Sequence, residues 1–156
     1  MGNISKHFDL EEFIDPVTFE QEGEGSIAFI DRSLIDINEF IREESGLPIK
    51  INDWHKGGKF KESGLRDRNS TIGAKKSAHK LGKATDSKIK GWDGQDWYDF
   101  VKKHAKKLYE LGLRQIEDKT LATTWGHLST REHGKKGIIQ VVDLTKVTEE
   151  INASGL

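Results

Sequence analysis

A chain of 156 residues that is 34% hydrophobic and 33% charged is long enough to bury a core as one domain, without disulfides or a structural metal. The absence of cysteine excludes thiol catalysis and thiolate metal sites, and the balance of 25 basic against 26 acidic residues argues against nucleic acid as the partner. No apolar run approaches a membrane span, and MGNISKHFDLEEF has neither the cationic nor the apolar segment of an export signal, so neither membrane insertion nor self-secretion is expected.

In FDLEEFI, Asp9 is expected to cap a short helix that Glu12 answers from its third position, with Pro16 stopping the pattern and residues 1–16 forming an N-terminal brace. Ile27, Ile30, Leu34, Ile37 and Ile41 recur at three- and four-residue steps, which predicts one amphipathic helix from Ser26 to Glu44, ended by Ser45 and Gly46. LPIKIN alternates and is β-branched, hence a strand, and DWHKGGKFKESGLRDRNS after it reads as a glycine-rich polar loop of a length that usually carries function. A second amphipathic helix is predicted from about Gln95 to Leu111, with Trp97, Val101, Leu108 and Leu111 on one side and Gly112 as the stop. LRQIE, TTWGHLS and GIIQVVDL predict three strands, and the tail 145–156 either adds a helical turn or frays. This order gives a single α+β domain over 1–156, a small antiparallel sheet packed with two main amphipathic helices.

Of six histidines, His7, His104 and His133 sit in polar surroundings and read as solvated, while His55, beside Trp54 in the glycine-rich loop, is open to either a packing or a site role. His79 and Asp86 differ. They share SAHKLGKATD, where Gly82 lets the chain reverse and Ala84 leaves room, so both side chains can turn into one pocket. Two ligands do not make a catalytic site; His127 in TTWGHLS is the third of suitable type. On spacing alone the competing reading is a core histidine and a loop-capping aspartate. If LRQIE and TTWGHLS pair about a loop centred near Ala122, Glu117 falls opposite His127, with Asp118 on the other face. Glu117 is then a candidate general base, the alternative being an ion pair with Arg114 or a lysine at a sheet edge. Trp125 reads as core or as a wall beside the ligand, Trp54 as packing under the loop or lining a cleft, and KKSAHKLGK and KKHAKK as solvated surface that would also attract anionic polymers.

SGLR at Ser63 to Arg66, then SAHKLGKATD, then TWGH resemble the ordered motifs of the zinc peptidases that cut bacterial cell-wall peptides, S-G-Y-R, S-x-H-x6-D and W-x-H. These are the D-Ala-D-Ala carboxypeptidases and dipeptidases and the phage L-alanyl-D-glutamate endolysins, and KHFDLEEFI and LPIKINDWHKGG resemble the flanks of phage-encoded members. The resemblance spans Trp54 to His127, about half the chain. It implies the hedgehog/D-Ala-D-Ala-peptidase type of fold, a Zn2+ held by His79, Asp86 and His127, Arg66 on the developing oxyanion and Ser77 as a substrate-binding hydroxyl. The partner it implies is a peptidoglycan peptide, and the setting is a phage lysin in the host cytoplasm before lysis, or a virion component. The chain departs from the pattern at Thr124, where many relatives carry a carboxylate base, and at Gly126 and Ser129. Those departures imply a second possibility, an inactive structural or wall-binding protein that keeps the fold beside other phage virion proteins.

Overall fold

The computed structural model describes residues 3–72, 77–144 and 146–155. Lys75 and Lys76 of the lysine-rich stretch, and Thr145 at the start of the expected tail, lie outside the described residues. Asp9 precedes a short 3-10 turn, Leu10–Glu12, and its backbone N–H donates to the Glu12 carboxylate at 2.8 Å, as the capping pattern predicts. Pro16, expected as a stop, instead opens helix α1 (Pro16–Glu22): Asp15 caps it by accepting from the Thr18 N–H at 2.9 Å, and proline costs nothing at a position whose N–H has no helical partner.

The helix expected over Ser26 to Glu44 divides. A 3-10 segment, Gly23–Phe29, gives way at Ile30, and α2 (Arg32–Ser45) starts afresh because the Asp31 carboxylate accepts from the Ser33 N–H at 3.0 Å. That local cap outweighs the continuing apolar period. Ile27 is therefore left exposed, whereas Leu34, Ile37 and Ile41 are buried, and Gly46 at φ +70° closes the helix. The helix expected from Gln95 to Leu111 also divides, at His104, into α3 (Gly94–Lys103) and α4 (Ala105–Leu111). His104 is not solvated: its ring lies 4.4 Å from Phe100 and 5.6 Å from Phe40, centroid to centroid. His7 and His133 are likewise engaged, His7 with Glu39 at 2.6 Å and His133 through Nε2 to the Ile138 carbonyl at 3.0 Å.

LPIKIN forms no strand. Its ladder reduces to one bridge between Lys50 and Lys88, since Asn52 spends its groups elsewhere: Nδ2 on the Ile14 carbonyl at 3.1 Å, Oδ1 on the Ser63 N–H at 2.8 Å. Ile49 and Ile51 stay buried all the same. The sheet has five strands, β1 (Ala84–Ser87), β2 (Gln115–Glu117), β3 (Gly126–Ser129), β4 (Ile138–Asp143) and β5 (Lys146–Asn152), in the order β1-β3-β2-β4-β5. It is mixed rather than antiparallel, because residues 130–137 carry the chain past β2 and β4 then runs parallel to β2. The tail is neither helical nor frayed; β5 pairs antiparallel with β4 and buries Ile151.

The chain is thus α+β. Ile35, Ile37 and Ile41 of α2, Trp97 and Val101 of α3, Leu108 of α4, and Leu128 and Ile139 of the sheet share one buried core. No helix among the described residues is long and apolar enough to cross a membrane.

Burial raises the Glu12 carboxyl to about 6, helped by the charges of Asp9 and Glu11, although the Asp9 N–H and Lys56 oppose it. A folded pKa above the unfolded one means that the fold loses stability as pH rises from about 4.5 through 6. Glu12→Gln keeps an acceptor for Asp9 and removes the charge. In metal-free protein it should therefore be more stable than the parent by about 1 kcal/mol at pH 7.5, after allowance for solvent screening, with no gap at pH 4. Urea denaturation at the two pH values measures the difference.

Candidate metal centre

Strand β1 alternates. Thr85 and Ser87 point into the protein, where Asn38 of α2 donates to the Thr85 hydroxyl at 3.1 Å and accepts from the Ser87 hydroxyl at 2.6 Å. Asp86 therefore faces the other way, into an open cleft. His79 precedes it on a tight turn, where the Lys80 N–H donates to the Ser77 carbonyl at 3.0 Å and the Gly82 N–H to the His79 carbonyl at 3.2 Å. Gly82 is at φ +69°, and a Cβ there would overlap the Phe29 carbonyl oxygen, so the turn into β1 requires glycine. The Ser77 hydroxyl accepts from the His79 N–H at 3.3 Å, which caps the turn, and among the described residues its own proton is left for the cleft it lines.

His127 is the register partner of Asp86 across β1 and β3. Its Nδ1 lies 2.9 Å from Asp86 Oδ1, and His79 Nε2 lies 3.3 Å from Asp86 Oδ2. The two imidazoles stand edge to face with centroids 5.1 Å apart. The three residues bring their ligand atoms together as a group able to hold a metal ion.

The SGLR segment sets the orientation of His79. Leu65 N–H donates to the Phe13 carbonyl at 2.7 Å, Arg66 N–H donates to the His79 carbonyl at 3.0 Å, and His79 Nδ1 donates to the Gly64 carbonyl at 3.0 Å. A carbonyl only accepts, so Nδ1 carries the proton. In the neutral ring Nε2 then presents a lone pair to a carboxylate oxygen, two acceptors face to face. That pairing is unfavourable unless a proton or a metal cation lies between them, and a backbone partner on the far nitrogen is the usual support of a metal-binding histidine. The residues present therefore fit a divalent cation.

Electrostatics agree with the geometry. Burial would raise the Asp86 carboxyl, but His127 and, whenever its ring is protonated, His79 outweigh it and hold the group far below the usual carboxylate range. Burial would lower His127, yet Asp86's hydrogen bond and charge raise it, with Glu117 adding and Arg66 opposing.

Gln115 pairs with Ser129 and Ile116 with Leu128, a register centred on Ala122 that ends there; continued by one step it would set Glu117 against His127. Glu117 and His127 line one cleft of about 470 Å³ together with Arg66, Ser77, Asp86 and Trp125. Arg114, the alternative partner for Glu117, is held by Glu132 and lies 3.9 Å over the Tyr109 ring. Asp118 is committed elsewhere, accepting from the Thr120 N–H at 2.9 Å and the Thr148 hydroxyl at 2.9 Å.

Arg66 is buried, its outer nitrogens donate to the Glu62 and Ile72 carbonyls at 3.3 Å each, and its Nε has no partner among the described residues. Thr124 is exposed and lines a neighbouring cleft with Lys61 and Lys88, which Asp86 and Arg66 also border but Glu117 does not. Trp125 is not core; half-buried, it walls both clefts. Gly126 has a structural reason, since a Cβ would stand 2.5 Å from the Trp97 indole. Ser129 is buried and its hydroxyl accepts from the Arg131 N–H at 3.2 Å. Trp54 packs, donating Nε1–H to the Ile14 carbonyl at 2.9 Å with Phe19 5.7 Å away.

Sequence reasoning missed Lys88. Its ammonium donates to the Ser63 hydroxyl and the Asp86 carbonyl at 2.9 Å each, sits 4.2 Å over the Phe60 ring, and is lowered by burial to about 8. The signal was present: two residues past Asp86 on a strand is the same face. Comparison of the chain with protein-family models, with curated proteins and with solved structures finds no match.

Proposed function

We propose that the chain is a zinc-dependent metallopeptidase that cleaves peptidoglycan stem peptides next to a D-amino acid, on a fold of the hedgehog/D-Ala-D-Ala-peptidase type. The observation that carries the reading is the convergence of His79 Nε2 and His127 Nδ1 on the two oxygens of Asp86, in a cleft that Glu117 and Arg66 also line. His79, Asp86 and His127 would hold the ion. When bound there, zinc supplies Lewis acidity to the scissile carbonyl and to the attacking water.

The chain's own residues supply the rest. Glu117 takes the proton of the attacking water and returns it to the leaving amine. Arg66 has a donor to spare, so its guanidinium meets negative charge that develops on the carbonyl oxygen only as the bond is attacked. Ser77 donates its free hydroxyl proton to the peptide, and Trp125 forms an apolar wall for it. Cleavage of the host wall from the cytoplasmic side before lysis, or from a virion, is the setting that suits this chemistry.

A second reading has one observation in its favour: Thr124 cannot accept a proton where a carboxylate base is common. In that reading the chain binds the wall or other virion proteins, with or without the metal, and cuts nothing. Digestion of purified muropeptides, followed by the release of new amino groups with and without chelator, separates the two. Chelator-sensitive release supports the peptidase; zinc binding with no release supports the inactive protein. If the peptidase reading holds, Arg66→Gln should lower kcat by about 10²–10³ while zinc content stays unchanged, measured by muropeptide kinetics beside metal analysis.

A further inference from the structure

A second group of ligand-type side chains lies where the N-terminal brace meets the glycine-rich loop. Asp9 and Glu11 belong to the turn at Leu10–Glu12, and His55 to the 3-10 turn Trp54–Lys56. One ligand atom from each lies within 4.8 Å of the other two. The two turns are pinned by bonds that do not involve these side chains: Asn52 N–H donates to the Glu12 carbonyl at 3.0 Å, and Trp54 Nε1–H to the Ile14 carbonyl at 2.9 Å. Backbone architecture therefore brings the three together, not attraction among them.

Glu11 is only 9% exposed, and its Oε1 is buried without a partner among the described residues. Both ring nitrogens of His55 are likewise buried without a partner among the described residues. A carboxylate oxygen and an imidazole with neither nitrogen satisfied are costly to bury, and native proteins seldom leave them so. A direct hydrogen bond between them would relieve both, yet none forms. Atoms that make no hydrogen bond to one another yet lie within 4.8 Å match a cation held by two carboxylates and an imidazole. The cluster of His7, Glu39 and Glu43 makes the contrast. There His7 already lies 2.6 Å from Glu39 and Glu43 is exposed, so nothing is left unsatisfied.

We propose that Asp9, Glu11 and His55 form a second binding site for a divalent transition-metal cation, a structural clamp between the brace and the loop that carries Gly64 and Arg66. It stands apart from the peptidase reading, since it shares no residue with the His79, Asp86 and His127 group.

The test uses the full chain equilibrated with zinc and freed of loosely held ion, with stoichiometry read by native mass spectrometry. The parent should hold two equivalents, His79→Ala one, His55→Ala one, and the double variant none. Glu11→Gln, which keeps the shape of the side chain, should also hold one, and covers the case in which His55→Ala fails to fold. In His79→Ala, zinc should raise the Tm and chelator reverse it, whereas His55→Ala/His79→Ala should show no zinc-dependent shift. A parent that holds one equivalent, lost in His79→Ala, overturns the proposal, as does Glu11→Gln retaining both. One equivalent lost in His55→Ala but kept in His79→Ala supports the clamp and removes the metal from the peptidase reading.

Discussion

Asp86→Asn protein should lose one equivalent of zinc and, with it, all measurable muropeptide cleavage. Both oxygens of this side chain are in use, one toward each histidine, and the amide offers a single acceptor, no charge, and N–H groups that point at one imidazole or the other. Supporting groups around a metal typically matter 10–100-fold in affinity, so loss of a ligand that also aligns both others should cost at least about 100-fold. The metal-free variant should also be weaker by about 1–2 kcal/mol, because His127 loses the acceptor that offsets its burial. Competition of the protein with a chromogenic chelator gives the affinity, and thermal denaturation gives the stability. An asparagine variant that binds zinc within tenfold of the parent at both sites would sink the assignment of Asp86 as a ligand.

Glu117→Gln should behave differently. Zinc content and Tm should stay within error of the parent, since Glu117 is no ligand in the group of three, while kcat falls by about 10²–10⁴. Asp118→Asn is the control and should leave kcat unchanged, its carboxylate being occupied by Thr120 and Thr148. Thr124→Glu should not rescue Glu117→Gln, because Thr124 does not line the cleft that Glu117 and His127 share. Full activity in Glu117→Gln would move the base elsewhere and remove the role drawn from the β2–β3 register. The two variants together separate binding of the ion from use of it.

The residues of the centre were legible because each obeys a short-range rule. Gly82 turns the chain, strand alternation aims Asp86 outward, and symmetry about Ala122 gives the β2–β3 register, with Glu117 and His127 lining one cleft just beyond it. What escaped had two causes: Asp31, by a local cap on Ser33, broke a helix that its apolar period would have continued, and Asn52, through partners far along the chain, drew a strand-like segment into side-chain bonds with Ile14 and Ser63. The parallel pairing of β2 with β4 was invisible in the same way, since a meander and a crossover leave similar strand patterns. Zinc as the metal and a cell-wall peptide as substrate rest on the motif resemblance together with this geometry, and the two variants above are their test.

The centre also has a place in time. Asp86 and His127 are 41 residues apart and meet only when β1 docks on β3, while His79 awaits a carbonyl, that of Gly64, from a segment itself held by Phe13. Closing such distant loops is slow relative to forming the turns and helices between them. An ion can be held by His79, Asp86 and His127 only once those long-range contacts are in place, so a chain that has recovered its helices but not the β1–β3 pairing has not yet brought the three ligands together.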